Sequence, residues 1–98
     1  MSEEIVNARI IHADVEIHLG MLSVWITLGY EDGTGQGFGG RRLEGNHCAE
    51  FLRGVMDAVG VEKWSALKEK KVRVRKTDGF FGTIIAIGHK RKDRWYPR

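Results

Sequence analysis

At 98 residues, 42% hydrophobic and 30% charged, the chain holds enough apolar material for one small domain, able to bury roughly 60–65% of the surface its unfolded form exposes. A single cysteine, Cys48, excludes an internal disulfide framework and a cysteine-only zinc site and suits a reducing compartment. No apolar run nears the roughly 18 residues of a membrane span, and MSEEIVNARI lacks the basic flank and apolar core of a secretion signal, so a soluble protein of the cytoplasm is expected.

From Ile5 the chain reads as strand. Between Asp14 and Leu19 the alternation is strict, with Asp14, Glu16 and His18 pointing one way and Val15, Ile17 and Leu19 the other. Gly20 breaks the pattern and predicts a turn into a second strand, Met21 to Tyr30. That strand sets Leu22, Val24, Ile26, Leu28 and Tyr30 against Met21, Ser23, Trp25 and Thr27. The glycine-rich stretch that follows, Gly33 to Gly40, is unfit for helix. It reads as a long turn feeding a bulged or closely approached third strand that runs through Arg41 to Leu43.

Asn46 is a good N-cap and Gly60 a good left-handed terminator. Between them Cys48, Leu52, Val55, Met56 and Val59 recur at helical spacing, opposite Glu50, Arg53 and Asp57, which predicts an amphipathic helix across one face of the sheet. Val61 to Leu67 predicts a short further helical turn that lays Trp64 and Leu67 on the core. Lys71 to Thr77 alternates again, Asp78-Gly79 is a hairpin signal, and Phe80 to Gly88, apolar on both faces, is expected in a central or doubly covered strand. The last ten residues are too polar for core, although Trp95 and Tyr96 have surface to bury. The expected architecture is a single α+β domain over residues 1–98, an antiparallel sheet of about five strands in the order β-β-β-α-α-β-β with one main helix packed on it.

Net charge is unevenly divided. Residues 1 to 67 carry five Lys or Arg against ten Asp or Glu, whereas residues 68 to 98 carry eleven against three. Such polarity suggests an acidic partner for the C-terminal part, or a second copy meeting it head to tail; the alternative is a solvated basic hairpin.

Candidate chemistry is sparse. Gly35-Gln36-Gly37-Phe38-Gly39-Gly40 fits the letters of a dinucleotide fingerprint, but that fingerprint needs the glycine turn to open directly into a helix, and here the helix waits until about Asn46. A backbone nest for another phosphorylated ligand, built around Gly35, Gln36, Gly37 and Phe38, stays open beside a structural role. His12, Asp14, Glu16 and His18 share a strand face if the register holds and could share a metal, but no third element is known to supply a ligand, so a solvated face is the competing reading and no metal site is expected. His47 and Cys48 are adjacent on a helix and do not face each other. No nucleophile–base set or paired carboxylates can be assembled, so a protein without enzymatic activity or cofactor is expected. The basic residues of the C-terminal part, with Phe80, Trp95 and Tyr96 nearby, could hold phosphates and stack bases. Arg41, Arg42, Arg73, Arg75, Lys90, Arg91 and Arg94 are the candidate partner- or phosphate-binding residues, because an arginine fork holds phosphate or carboxylate in two places.

Taken together, the strand ending in LGY, the run GQGFGG at Gly35 to Gly40, VGVEKW at Val59 to Trp64, KVRVR at Lys71 to Arg75, AIGH at Ala86 to His89 and KDRWYP at Lys92 to Pro97 resemble a family of small, mostly uncharacterised bacteriophage and prophage proteins. Arg41 and Arg42 stand where that family often has an aromatic residue after GQGFGG. The resemblance transfers no catalytic residue. It implies an accessory protein of the host-cell cytoplasm, expected to be oligomeric, that inhibits a host defence protein or complex by binding it, as anti-CRISPR proteins do. The alternative is a nucleic-acid- or nucleotide-binding module, including a sponge for a cyclic-nucleotide signal, that uses the basic C-terminal hairpin.

Overall fold

The structure, a computed structural model, describes residues 3–41, 46–77 and 82–97. The elements are β1 (Glu3–His18), β2 (Met21–Tyr30), β3 (Gly35–Arg41), α1 (Asn46–Val59), a 3-10 turn (Trp64–Ala66), β4 (Lys71–Thr77), β5 (Ile84–His89) and β6 (Trp95–Tyr96). All pairings are antiparallel, and the strands lie in the order β3-β2-β1-β4-β5-β6.

The sixteen-residue β1 is the spine. Glu3 to Arg9 pair with β4 and Ala8 to His18 pair with β2, so β2 and β3 on one side and β4, β5 and β6 on the other are joined along one strand and offset along its length. A bulge between Ile10 and His12 inserts Ile11 opposite the β2 ladder. The extra residue brings Ala13, Val15 and Ile17 onto the face already occupied by Ala8 and Ile10, opposite Ile26, Val24 and Leu22. Leu19 and Gly20, both at positive φ, form the two-residue turn into β2.

The helix-side face carries the core. Ile10, Val24, Ile26, Leu28, Val72, Val74 and Ile87 from the sheet meet Cys48, Phe51, Val55 and Val59 of α1, and Leu67 plugs in from the segment after the 3-10 turn. The helix register follows the expected spacing, but Phe51 and Ala58 are more deeply buried than Leu52 and Met56. Gly60 ends α1 at φ +90°, with its N–H donating to the Met56 carbonyl at 2.8 Å. Gln36 of β3 donates to the carbonyl of Gly82, just ahead of β5. In a flat sheet β3 and β5 would lie about 19 Å apart at the usual spacing, so the sheet coils round its helix side.

Among the described residues the architecture is one helix on an antiparallel sheet, but with six strands rather than five. The sixth arises because Trp95 and Tyr96 alternate: Trp95 lies over Gly88 on one face and Tyr96 over Gly54 of α1 on the other. Two residues show too little periodicity to be read as a strand from sequence. The 3-10 turn covers Trp64–Ala66 only, within the expected 61–67 stretch. The strand expected over Phe80 to Gly88 is described as Ile84–His89 and lies one place from the sheet edge, beside the short β6. Asp78-Gly79, Phe80 and residues 42–45, including Arg42 and Leu43, lie outside the described residues. Among the described residues no helix is long and apolar enough to cross a membrane.

Candidate functional site

Strand alternation sends every second side chain to the face away from α1. On β4 these are Lys71, Arg73 and Arg75. The β1 positions paired with them are Arg9, Asn7 and Ile5, and on β5 and β6 they are Ala86, Gly88 and Trp95. No described helix covers this face, and four basic side chains, Arg9, Lys71, Arg73 and Arg75, share it.

Its centre is Trp95. The indole packs against Gly88, where a β-carbon would run into the ring, and its Nε1 donates to Asp93 Oδ1 at 2.9 Å. The guanidinium carbons of Arg73 and Arg75 stand 5.0 and 5.7 Å from the ring centroid, within cation–π range. On one side of this cluster is a cleft of about 570 Å³ lined by Asn7, Arg9, Lys71, Lys90 and Arg91. On the other is a cleft of about 660 Å³ lined by Gly54, Asp57, Arg75, Arg94 and Trp95.

The expected basic residues separate into two kinds. Arg73 and Arg94 are built into the framework. Arg73 donates from Nε to the His89 carbonyl at 2.9 Å and from Nη2 to the Lys92 carbonyl at 2.8 Å, which holds the 89–94 loop down. Arg94 donates from Nε (3.1 Å) and Nη2 to the Asp57 carbonyl, satisfying a carbonyl in the last turn of α1. Arg75 is intermediate: its Nε is 3.6 Å from Glu3 Oε2, while its guanidinium stays beside Trp95. Lys90 and Arg91 are exposed on the loop. Arg41 ends β3, but its side chain, like all of Arg42, is outside what is described.

His89 organises that loop. Its Nδ1 accepts from the backbone N–H of Arg91 (3.0 Å) and Lys92 (3.1 Å), which requires an unprotonated nitrogen. Desolvation, and then the charges of Arg94, Lys92, Lys90 and Arg73, hold its pKa below the ordinary imidazole value.

The glycine-rich run is a strand, not a loop. Gly35 to Arg41 pair in register with Gly29 to Ser23 of β2. Gln36 and Phe38 turn inward: Tyr30 Oη donates to Gln36 Oε1 at 2.6 Å, and the Phe38 ring packs on Phe51 with centroids 5.7 Å apart. Burial, and then the charges of Asp32 and Glu4, push the Tyr30 phenol up, which suits its role as donor. Gly37 faces the other way, beneath the Trp25 indole, where a β-carbon would collide with the ring. The spacing G-x-G thus serves close packing over Trp25, with Gln36 and Phe38 committed inside.

His12, Asp14 and Glu16 do share a strand face, yet among the described residues no three His, Cys, Asp or Glu side chains form a metal-holding group. Cys48 is buried in the core and His47 is exposed, as helical geometry demands. Sequence reasoning counted Lys71 among the basic residues of the C-terminal part that could hold phosphate, but it left Arg9 out. The strand alternation carried Lys71, but only the β1–β4 register, across more than sixty residues, brings Arg9 beside it. Arg9 also stands 4.0 Å from Glu69, both side chains well exposed, a contact worth little.

Compared with protein-family models, with curated proteins and with solved structures, the chain matches none. The functional reading therefore rests on the geometry of this face.

Proposed function

We propose that the protein is a non-enzymatic binding module that holds single-stranded nucleic acid on the helix-free face of its sheet. The observation that supports this reading most directly is the Trp95 indole packed against Gly88 with the guanidinium groups of Arg73 and Arg75 in cation–π range, and the Lys71, Arg9, Lys90 and Arg91 cleft beside it. A half-buried indole offers a stacking surface that accepts any base, and stacking of this kind is worth about 1–3 kcal/mol per base. Surrounding cations follow the phosphates, giving affinity that is largely independent of sequence and falls with salt. Lys90 and Arg91, exposed on the loop beside the cleft, add an ammonium and a guanidinium fork that can reach phosphate. In the phage setting implied by the sequence resemblance, such a module would act against host defence by masking a nucleic acid or withholding a nucleotide signal.

The test is fluorescence anisotropy with labelled single-stranded DNA and RNA of mixed sequence, titrated over a range of salt. Binding whose logarithm falls linearly with the logarithm of salt, and which Trp95→Ala weakens by about 1–3 kcal/mol, is the expected result. Absence of binding at low salt, or binding that Trp95→Ala leaves untouched, overturns the proposal.

A further inference from the structure

The distal half of β1 has an open edge. Pairing with β4 stops at Arg9 opposite Lys71, followed only by the exchange of Ile10 with Lys70 and Glu69, so from Ile11 to His18 no described strand lies on that side. His18 and Met21 flank the two-residue turn, and in such hairpins the flanking pair exchanges backbone hydrogen bonds. Counting back by alternation, His12, Asp14, Glu16 and His18 direct their backbone groups to β2. Ala13, Val15 and Ile17 direct theirs outward to the open edge.

The side chains along this edge divide by chemistry. Val15, Ile17 and Leu19 are 47%, 69% and 83% exposed on or beside the helix-side face, beyond the reach of α1. Asp14 and Glu16 are exposed on the opposite face. Pairing with a second copy is disfavoured. The antiparallel register that uses all three outward positions sets Val15 against Val15 and Asp14 against Glu16 twice, at non-hydrogen-bonded positions where side chains are closest. Its two neighbouring registers set Asp14 or Glu16 against its own copy.

We infer that this edge takes an extended segment of a partner protein in which cationic and apolar residues alternate, added antiparallel to β1 in line with β4. Backbone groups of Ala13, Val15 and Ile17 pair with the segment. Its cationic residues stand over Asp14 and Glu16, and its apolar residues cover Val15 and Ile17. The acids thus serve twice, against self-pairing and for partner choice. This surface is separate from the basic face around Trp95 and does not depend on the nucleic-acid reading.

The experiment uses the isotope-labelled full chain, with a capped synthetic peptide alternating Val and Lys as probe and its counterpart with Glu for every Lys as control. The expected result is saturable amide shifts and slowed hydrogen exchange centred on Ala13, Val15 and Ile17 with the Lys peptide, and about tenfold weaker binding of the Glu peptide. Val15→Pro removes an outward N–H without touching the β1–β2 ladder, and should abolish binding. Asp14→Lys with Glu16→Lys should reverse the peptide preference, a result that stands even if the proline variant fails to fold. Equal affinity for the two peptides, shifts centred elsewhere, no saturable binding, or a dimer formed through residues 13–17 overturns the inference.

Discussion

The Tyr96 ring lies against the α-carbon of Gly54 in the middle of α1, leaving no room for a β-carbon, and meets Phe51 edge-on at 5.7 Å between centroids. Glycine in an exposed helix interior costs about 1 kcal/mol relative to alanine, yet here the missing side chain is what seats β6 on the helix. Gly54→Ala should therefore destabilise the protein by about 1–3 kcal/mol through overpacking, opposite in sign to its effect on an isolated helix. Thermal melting followed by circular dichroism checks it.

The two kinds of arginine should come apart in experiment. Arg94→Ala removes the donors to the Asp57 carbonyl, and a loss of about 0.5–1.5 kcal/mol in urea unfolding is expected. Arg91→Glu changes only an exposed loop position. It should leave stability within about 0.5 kcal/mol while weakening single-strand binding and flattening its salt dependence.

Gln36 joins the Tyr30 hydroxyl to the Gly82 carbonyl, both at 2.6 Å. Gln36→Leu strands both partners in a partly buried setting, and a destabilisation of about 1–3 kcal/mol is expected, measured by urea denaturation. The paired change Gln36→Leu with Tyr30→Phe should recover part of the loss, because the orphaned hydroxyl is then gone.

Stability should also depend on His89. Its pKa is lowered in the folded protein by desolvation and by neighbouring cations, so the unfolded chain binds that proton more readily. The His89 contribution is complete above the ordinary value of 6.5 and declines as pH falls toward the folded pKa. Melting temperatures across this window should drop for the wild type and drop less for His89→Gln. NMR titration of the ring should give a midpoint below 6.5.

Much of the fold was legible because its elements obey one period at a time. Met21 to Tyr30 alternates cleanly, and Asn46 to Gly60 repeats at helical spacing between good terminators. What escaped is what depends on distant partners. The pairing of β1 with β4 sets Arg9 beside Lys71, and Trp95 and Tyr96 become a strand only because Gly88 and Gly54 leave space for their rings. The basic cluster was visible as composition, but composition does not distinguish Arg73 and Arg94, spent on backbone carbonyls, from Lys90 and Arg91, exposed on the loop.

The offset pairing of β1 has a kinetic consequence. One strand belongs at once to a hairpin with its sequence neighbour β2 and to a ladder with β4, so Val6 meets Val74 across most of the chain. The hairpin can form early because its loop is two residues long, but the second half of the sheet must close a loop of over sixty residues first. Until β4 arrives, β1 exposes its whole outer edge, and the acids Asp14 and Glu16 are already in place to keep nascent copies from annealing to one another.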